Sequence, residues 1–225
     1  MRLIQKLFCV AAFALAAGGA AAAEPKNGVQ YITLPEAQQT DSGKKVEVTE
    51  FFAYYCPHCN VYEPVLAAWV KKQGDNIVFK RVHVARGPAV APQQRLFYTL
   101  EAMGLLEQYH AKVFTAMHKD RQRLSTDEQV FDWAASAGID RAKFIDAYRS
   151  MGTGARMRRA EAMMAAYRVD QWPLVAIDGR FLTSPSHAGE GHQPAAGHHH
   201  SEGEQQQQSL EVMDYLVAKA KAEKK

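Results

Sequence analysis

Two cysteines separated by two residues form the first candidate site in the chain. Cys56 and Cys59 follow an apolar β-type run, residues 46–53, and stand at the start of a helix-type run from Pro57 to about Gln73. Free N–H groups at a helix N-terminus, and the positive end of the helix dipole, stabilise a thiolate there. Pro57 suits the first helical turn because its missing N–H would have had no intrahelical partner. The spacing therefore predicts redox chemistry at a thiol pair.

Two ionisable residues near the cysteines are candidates for tuning that chemistry. His58 lies between them and can place a second positive charge near Cys56. Glu50 interrupts a largely apolar face of the preceding strand. It is either a strand-end carboxylate that reaches water or a buried acid under the cysteines, which would act as a proton relay or pKa modulator.

The use of cysteine along the whole chain favours a reactive pair. The third cysteine, Cys9, belongs to an apolar leader. A disulfide between Cys56 and Cys59 would close a very small loop and stabilise little. A zinc site would need two more ligands, and no further cysteine follows the leader.

The first 23 residues are typical of a secretory signal. Arg2 and Lys6 precede an apolar run, Leu7 to Ala17, and small residues lie just before position 24. The run is too short to span a bilayer, which disfavours the alternative of an uncleaved anchor. Removing the signal leaves about 200 residues, enough for one good core with an inserted subdomain. It also lowers the formal net charge of +3 by two, so the composition excludes a nucleic-acid-binding protein.

The order of secondary-structure patterns predicts the fold class. A strand, a helix and a second strand come first, which predicts parallel strands joined by a right-handed crossover. Helical patterns then fill residues 92–169, and Asp178-Gly179 is typical of the turn of a hairpin that a final helix follows. This order predicts an α/β protein with a thioredoxin fold and an inserted all-helical subdomain. The predicted divisions are a signal peptide at 1–23, a first thioredoxin part at 24–91, the helical subdomain at 92–169 and a second thioredoxin part at 170–225.

Two further predictions are local. Ser125 and Glu128 have the spacing of a capping box that opens a helix. His83, His110 and His118 lie on strand or helix patterns, and lone histidines of this kind are typical of structural or surface positions.

Residues 185–208 have a composition unlike the rest of the chain. The segment holds no aromatic and no β-branched residue, so we expect it to be mobile. It carries five of the nine histidines, which are weak candidates for metal ligands because a mobile tract has no preset geometry. They are His187, His192, His198, His199 and His200.

The run from Glu50 to Cys59 resembles the active site of the DsbA family, periplasmic disulfide oxidants of Gram-negative bacteria. The similarity extends from about residue 46 to 185 and includes the final helix. The resemblance implies that Cys56 is an exposed nucleophile, Cys59 a buried resolving thiol and His58 a stabiliser of the Cys56 thiolate. It also implies that Glu50 is the buried acid of the family and that Pro173 is a cis-proline beside the disulfide.

Two features depart from the family pattern. Trp172 precedes the expected cis-proline, where a small or β-branched residue is usual, and it would reshape the substrate groove. The histidine-rich stretch 187–200 is also foreign to the pattern.

The resemblance implies a thiol:disulfide oxidoreductase that introduces disulfides into unfolded exported proteins in the periplasm. Its only redox group would be the Cys56–Cys59 disulfide, with no separate cofactor, and a DsbB-like quinone-linked membrane protein would reoxidise it. We expect a monomer that binds no nucleic acid. The alternatives are a metal-binding or metal-delivery protein that uses the histidines, a disulfide reductase or isomerase on the same fold, and an interaction module without catalysis.

Overall fold

The computed structural model describes residues 24–190 and 200–224 of the chain. Its centre is a five-stranded sheet in the order β1-β5-β4-β2-β3. The strands are β1 (Ile32–Thr33), β2 (Val46–Phe52), β3 (Ile77–His83), β4 (Leu174–Ile177) and β5 (Phe181–Thr183). Strands β2 and β3 are parallel, and the remaining neighbours pair antiparallel. Strand β3 forms one edge of the sheet, with β2 as its partner.

Strand β2 is buried along its whole length because both faces of the sheet are covered. Val46 and Val48 belong to a core cluster with the helix between β2 and β3 and with the last helix. Phe51 packs into the core of the helical insertion. This alternation is the period of two that a strand imposes on its side chains.

Eight α-helices complete the described part of the chain. They are α1 (Pro57–Gln73), α2 (Ala91–Ala102), α3 (Leu106–Phe114), α4 (Asp127–Ser136), α5 (Arg141–Arg149), α6 (Met151–Ala166), α7 (Pro185–Glu190) and α8 (Glu202–Glu223). Helix α3 continues into a π-helical turn at Thr115–Lys119. The sequence of elements is that of a thioredoxin fold interrupted by helices α2 to α6, as predicted. None of the described helices is both long and apolar enough to cross a membrane.

The predicted capping box at Ser125 is wrong by one residue. Thr126 is the N-cap of α4, and its hydroxyl accepts a hydrogen bond from the Gln129 N–H. Ser125 instead donates its own N–H to the side chain of Gln129. Ser and Thr both cap well, so the choice between neighbours depends on the entry angle of the chain, which local sequence does not determine.

The hairpin of β4 and β5 has the predicted turn. Asp178 and Gly179 have φ angles of 53° and 68°, as a type I′ turn requires. A Cβ at position 179 would also collide with the carbonyl oxygen of Gln38. Only glycine therefore suits this position.

The prediction that residues 185–208 are mobile is wrong for the part that the structure describes. Helix α7 packs against the start of α8, and Ala188 is fully buried. Gly189 allows the two helices to approach, since a Cβ there would lie 2.9 Å from the Gln205 side chain. Small residues and amides thus replace the apolar pattern on which the prediction relied. Residues 191–199 lie outside the described residues.

Candidate active site

The two cysteines occupy the first turn of α1. Cys56 is the N-cap residue, and its sulfur accepts a hydrogen bond from the Cys59 N–H at 3.3 Å. Pro57 occupies the first helical position, as predicted. The Cys56 N–H bonds back to the Ala53 carbonyl at 3.1 Å, closing a tight turn between β2 and α1. Both cysteines are free thiols in this structure.

Cys59 is fully buried, but Cys56 is less open than predicted. Only 5% of Cys56 is exposed, so the expectation that this nucleophile is exposed is wrong. The cover comes from the loop before β4, where the Trp172 carbonyl accepts a weak hydrogen bond from the Cys56 thiol at 3.7 Å.

The two thiols have different pKa values because their environments differ. The pKa of Cys56 is lowered to about 7, first by the hydrogen bond from the Cys59 thiol and then by the N–H groups of Cys59 and His58. Burial raises the pKa of Cys59 far above its ordinary value. At neutral pH the thiolate therefore belongs to Cys56, where helix-terminal N–H groups solvate it.

His58 forms an ion pair with a carboxylate that the sequence pattern does not predict. Its Nδ1 lies 2.7 Å from Oε1 of Glu202, the first residue of α8, and this contact raises the pKa of His58. A capping box between Ser201 and Glu204 fixes the start of that helix. The partners are 144 residues apart, so no local pattern could have predicted the contact.

The loop before β4 lies against the cysteines as predicted. The peptide bond between Trp172 and Pro173 is cis. The Trp172 ring packs edge-on against Tyr55 at 6.1 Å, and the Arg86 guanidinium lies 5.1 Å from its centre. The carbonyl of Trp172 faces the Cys56 sulfur.

A cavity of about 290 Å³ opens beside this loop. It lies between the first turn of α1, the cis-proline loop and the beginnings of α7 and α8. Its lining includes His58, Gln171, Trp172, Pro173, Glu202 and Gln205.

Glu50 is a buried acid and not a strand-end carboxylate in water. It is 1% exposed, and its carboxylate lies 3.2 Å from Arg81 Nε. Arg81 also binds Glu63 at 2.8 Å, so two acids share one guanidinium. Burial raises the pKa of Glu50 to about 8 against the attraction of Arg81, and the negative charge of Glu63 adds to the rise. Glu63 follows Cys59 by four residues, the spacing that places two residues on one helix face, so this partner had a signal in the sequence.

The described residues contain no group of three or more His, Cys, Asp or Glu side chains arranged to hold a metal ion. His187 Nε2 lies 3.2 Å from the Gln171 amide, and His200 lies 4.0 Å from Glu204. The other three histidines of the tract, His192, His198 and His199, are outside the described residues.

Comparisons with known proteins agree with this geometry. The model of the DSBA-like thioredoxin domain matches residues 47–189. The chain belongs to the DsbA family. It is 38% identical over 184 residues to the thiol:disulfide interchange protein DsbA of Bordetella parapertussis, covering 82% of this chain and 88% of that protein. The corresponding protein of Azotobacter vinelandii is 33% identical, with coverages of 87% and 84%.

Solved structures of the DsbA family have the same architecture. The crystal structure of Pseudomonas aeruginosa DsbA matches with a TM-score of 0.76 at 30% identity, covering 87% of this chain and 94% of that one. A crystal structure of a single-residue variant of the same Pseudomonas protein matches with a TM-score of 0.79 at 29% identity and covers 88% and 100%. The protein is thus a thiol:disulfide oxidoreductase that introduces disulfide bonds into exported proteins. Members of the DsbA family are periplasmic and use a redox-active disulfide.

Proposed function

We propose that Cys56 and Cys59 are the reacting pair and that Cys56 is the sulfur that exchanges with substrate. The observation that carries this assignment is the position of Cys56 at the N-cap of α1, where N–H groups stabilise its thiolate. Cys59 is buried and strongly disfavours ionisation, which suits a resolving thiol that reacts only within the protein.

The exchange proceeds in two balanced steps. A substrate thiolate attacks the Cys56 sulfur of the disulfide, the Cys56–Cys59 bond breaks, and Cys59 leaves with the electron pair. Glu50, with a pKa of about 8, holds a proton that can neutralise the buried sulfur. A second substrate thiolate then attacks the substrate sulfur of the mixed disulfide, and the Cys56 thiolate leaves. The substrate has lost two electrons, which the reduced pair now holds.

The same stabilisation gives the reaction its direction. The thiolate of Cys56 exists only in the reduced protein, so each interaction that favours it makes the disulfide form a stronger oxidant. His58 contributes through its positive charge, which Glu202 helps to maintain. Trp172 and Pro173 supply the loop along which an extended substrate segment would lie.

The surroundings of the reaction follow from the family. Residues 1–23 would direct the chain to the periplasm, where its substrates would be unfolded exported proteins. A DsbB-like quinone-linked membrane protein would return the pair to the disulfide, and neither a metal nor another cofactor takes part. We propose that the protein acts as a monomer.

The test is oxidation of a reduced, unfolded model protein by the oxidised mature chain. We expect wild type to form disulfides in the substrate, Cys56→Ser to be inactive, and Cys59→Ser to accumulate a substrate covalently attached at Cys56. Each assay is repeated with a chelator because five histidines follow the site. Mixed disulfides at Cys59 in the Cys56→Ser variant would reverse the assignment, and loss of oxidation on chelation would support the metal alternative.

A further inference from the structure

Three histidines from outside the redox motif converge on a single residue beside it. Tyr54, two positions before Cys56, is fully buried. Its N–H donates to His83 Nε2 at 3.1 Å, its hydroxyl lies 2.9 Å from His110 Nδ1, and its carbonyl lies 2.7 Å from His118 Nε2. Each polar group of Tyr54 therefore has a histidine partner. We call these three residues the histidine clamp.

The partner atoms assign one tautomer to each imidazole of the clamp. His83 accepts at Nε2, so its proton lies on Nδ1. His118 faces a carbonyl, which can only accept, so its Nε2 carries the proton. His110 Nε2 lies 3.3 Å from a carboxylate oxygen of Glu63, which places its proton there and makes Nδ1 the acceptor of the Tyr54 hydroxyl. The three polar groups of Tyr54 and the three imidazole nitrogens that face them are thus complementary as donors and acceptors when the rings are neutral.

The surroundings keep the two inner rings in that state. His83 and His110 are 0% and 4% exposed, and both pack edge-on against Phe52 with ring centres 5.1 Å apart. Burial lowers the pKa of His83 to about 3, and it also lowers that of His110. The rings are therefore neutral and fixed in place at physiological pH.

The clamp acts on the turn that carries both cysteines. Tyr54 lies within the turn closed by the Cys56 N–H and the Ala53 carbonyl. A shift of Tyr54 would move Ala53 and Cys56 together, and it would change the position of the Cys56 sulfur relative to the Cys59 N–H that donates to it.

The three histidines come from different parts of the fold. His83 ends β3, whereas His110 lies on α3 and His118 on the π-helical turn after it. Two of the three contacts thus join the inserted helices to the redox turn. We propose that His83, His110 and His118 are positioning residues for disulfide exchange, and that through them the helical insertion sets the redox potential of the cysteine pair. This inference rests on the proposed roles of Cys56 and Cys59.

The variant His118→Ala tests the inference, because His118 is the least buried member of the clamp. With a looser turn, Cys56 spends less time where the helix N–H groups solvate its thiolate. We expect the equilibrium constant for oxidation of glutathione to fall about threefold to tenfold, the range that one net hydrogen bond supplies. This fall corresponds to about 14–30 mV. The pKa of Cys56, read from thiolate absorbance, should rise as the equilibrium constant falls.

Two further variants separate positioning from general stability. His118→Gln retains an N–H donor at the position of Nε2 and should restore most of the wild-type potential. Thr153→Val is the matched control. It removes a buried hydroxyl of α6 that donates to the Ala147 carbonyl of α5 at 2.8 Å. It should lower the unfolding temperature and leave the potential unchanged. Tyr54→Phe removes only the hydroxyl contact and should shift the potential in the same direction as His118→Ala.

The outcomes distinguish this inference from the proposed function. If wild type oxidises substrate through Cys56 but His118→Ala and Tyr54→Phe keep its potential, the clamp is merely structural and the inference is wrong. The inference is also overturned if Thr153→Val shifts the potential as much as His118→Ala does. A wild-type protein without exchange at Cys56 would instead refute the proposed function.

Discussion

At the scale of single residues, the ion pair of His58 and Glu202 joins the redox motif to the last helix. Glu202 raises the pKa of His58, so the stability that the pair supplies is fully present below the pKa of a free histidine and is lost as the pH rises through the folded-state value. Both side chains are largely exposed, so salt will weaken their attraction.

We predict that Glu202→Gln lowers the pKa of His58 towards its ordinary value, because the carboxylate partner is lost. NMR titration of the His58 imidazole in the oxidised protein measures this directly. The redox equilibrium near neutral pH should change by less than about threefold, since solvent screens the pair. Glu204→Gln makes the same change two residues later and should leave His58 unaffected. An unchanged titration in Glu202→Gln would show that the contact does not persist in solution.

At the scale of elements, the parts of the site that depend on local pattern could be predicted. The strand before Cys56, the helix after it and the turn at Asp178-Gly179 all follow from residues close in sequence. The contacts that tune the site join distant segments, such as His118 to Tyr54 and Glu202 to His58. Helix α7 escaped prediction for a related reason, because it is stabilised by close approach to α8 and not by an apolar pattern.

We predict that Gly189→Ala destabilises the protein by about 1–3 kcal/mol, because the added Cβ would overlap the Gln205 side chain and force α7 away from α8. This loss should lower the unfolding temperature by several degrees. Gly203→Ala is the matched control, since a Cβ there meets nothing within 4 Å. It should be neutral or slightly stabilising because alanine favours the helix. Equal unfolding temperatures for the two variants would contradict the packing of α7 on α8.

At the scale of the whole molecule, the redox state and the stability of the fold are linked. The pKa of Cys56 is about 7 in the folded protein and near 9 in an unfolded chain. A depressed pKa contributes stability that is complete above the unfolded value and is lost as the pH falls through the folded value. The contribution applies only to the reduced protein, because the disulfide cannot ionise.

We therefore predict that reduction raises the unfolding temperature by an amount that grows between pH 6 and pH 9. Two pKa units correspond to about 2–3 kcal/mol at the upper end, or roughly 5–10 °C for a chain of this size. Calorimetry of the oxidised and reduced forms across this range provides the measurement. Cys56→Ser cannot form the disulfide, so reductant should leave its unfolding temperature unchanged at every pH in this range. A difference that is independent of pH would mean that the thiolate does not stabilise the fold.

The exposed edge of the sheet bears on how the protein behaves at high concentration. Strand β3 pairs on one side only, and an unpaired strand edge is a template for association between molecules. Lys80 lies on this strand, and its ammonium binds Glu47 at 2.8 Å and Asp41 at 3.3 Å. A second strand that approached this edge would have to displace or desolvate these charges. The edge therefore resists pairing with a strand of a second molecule.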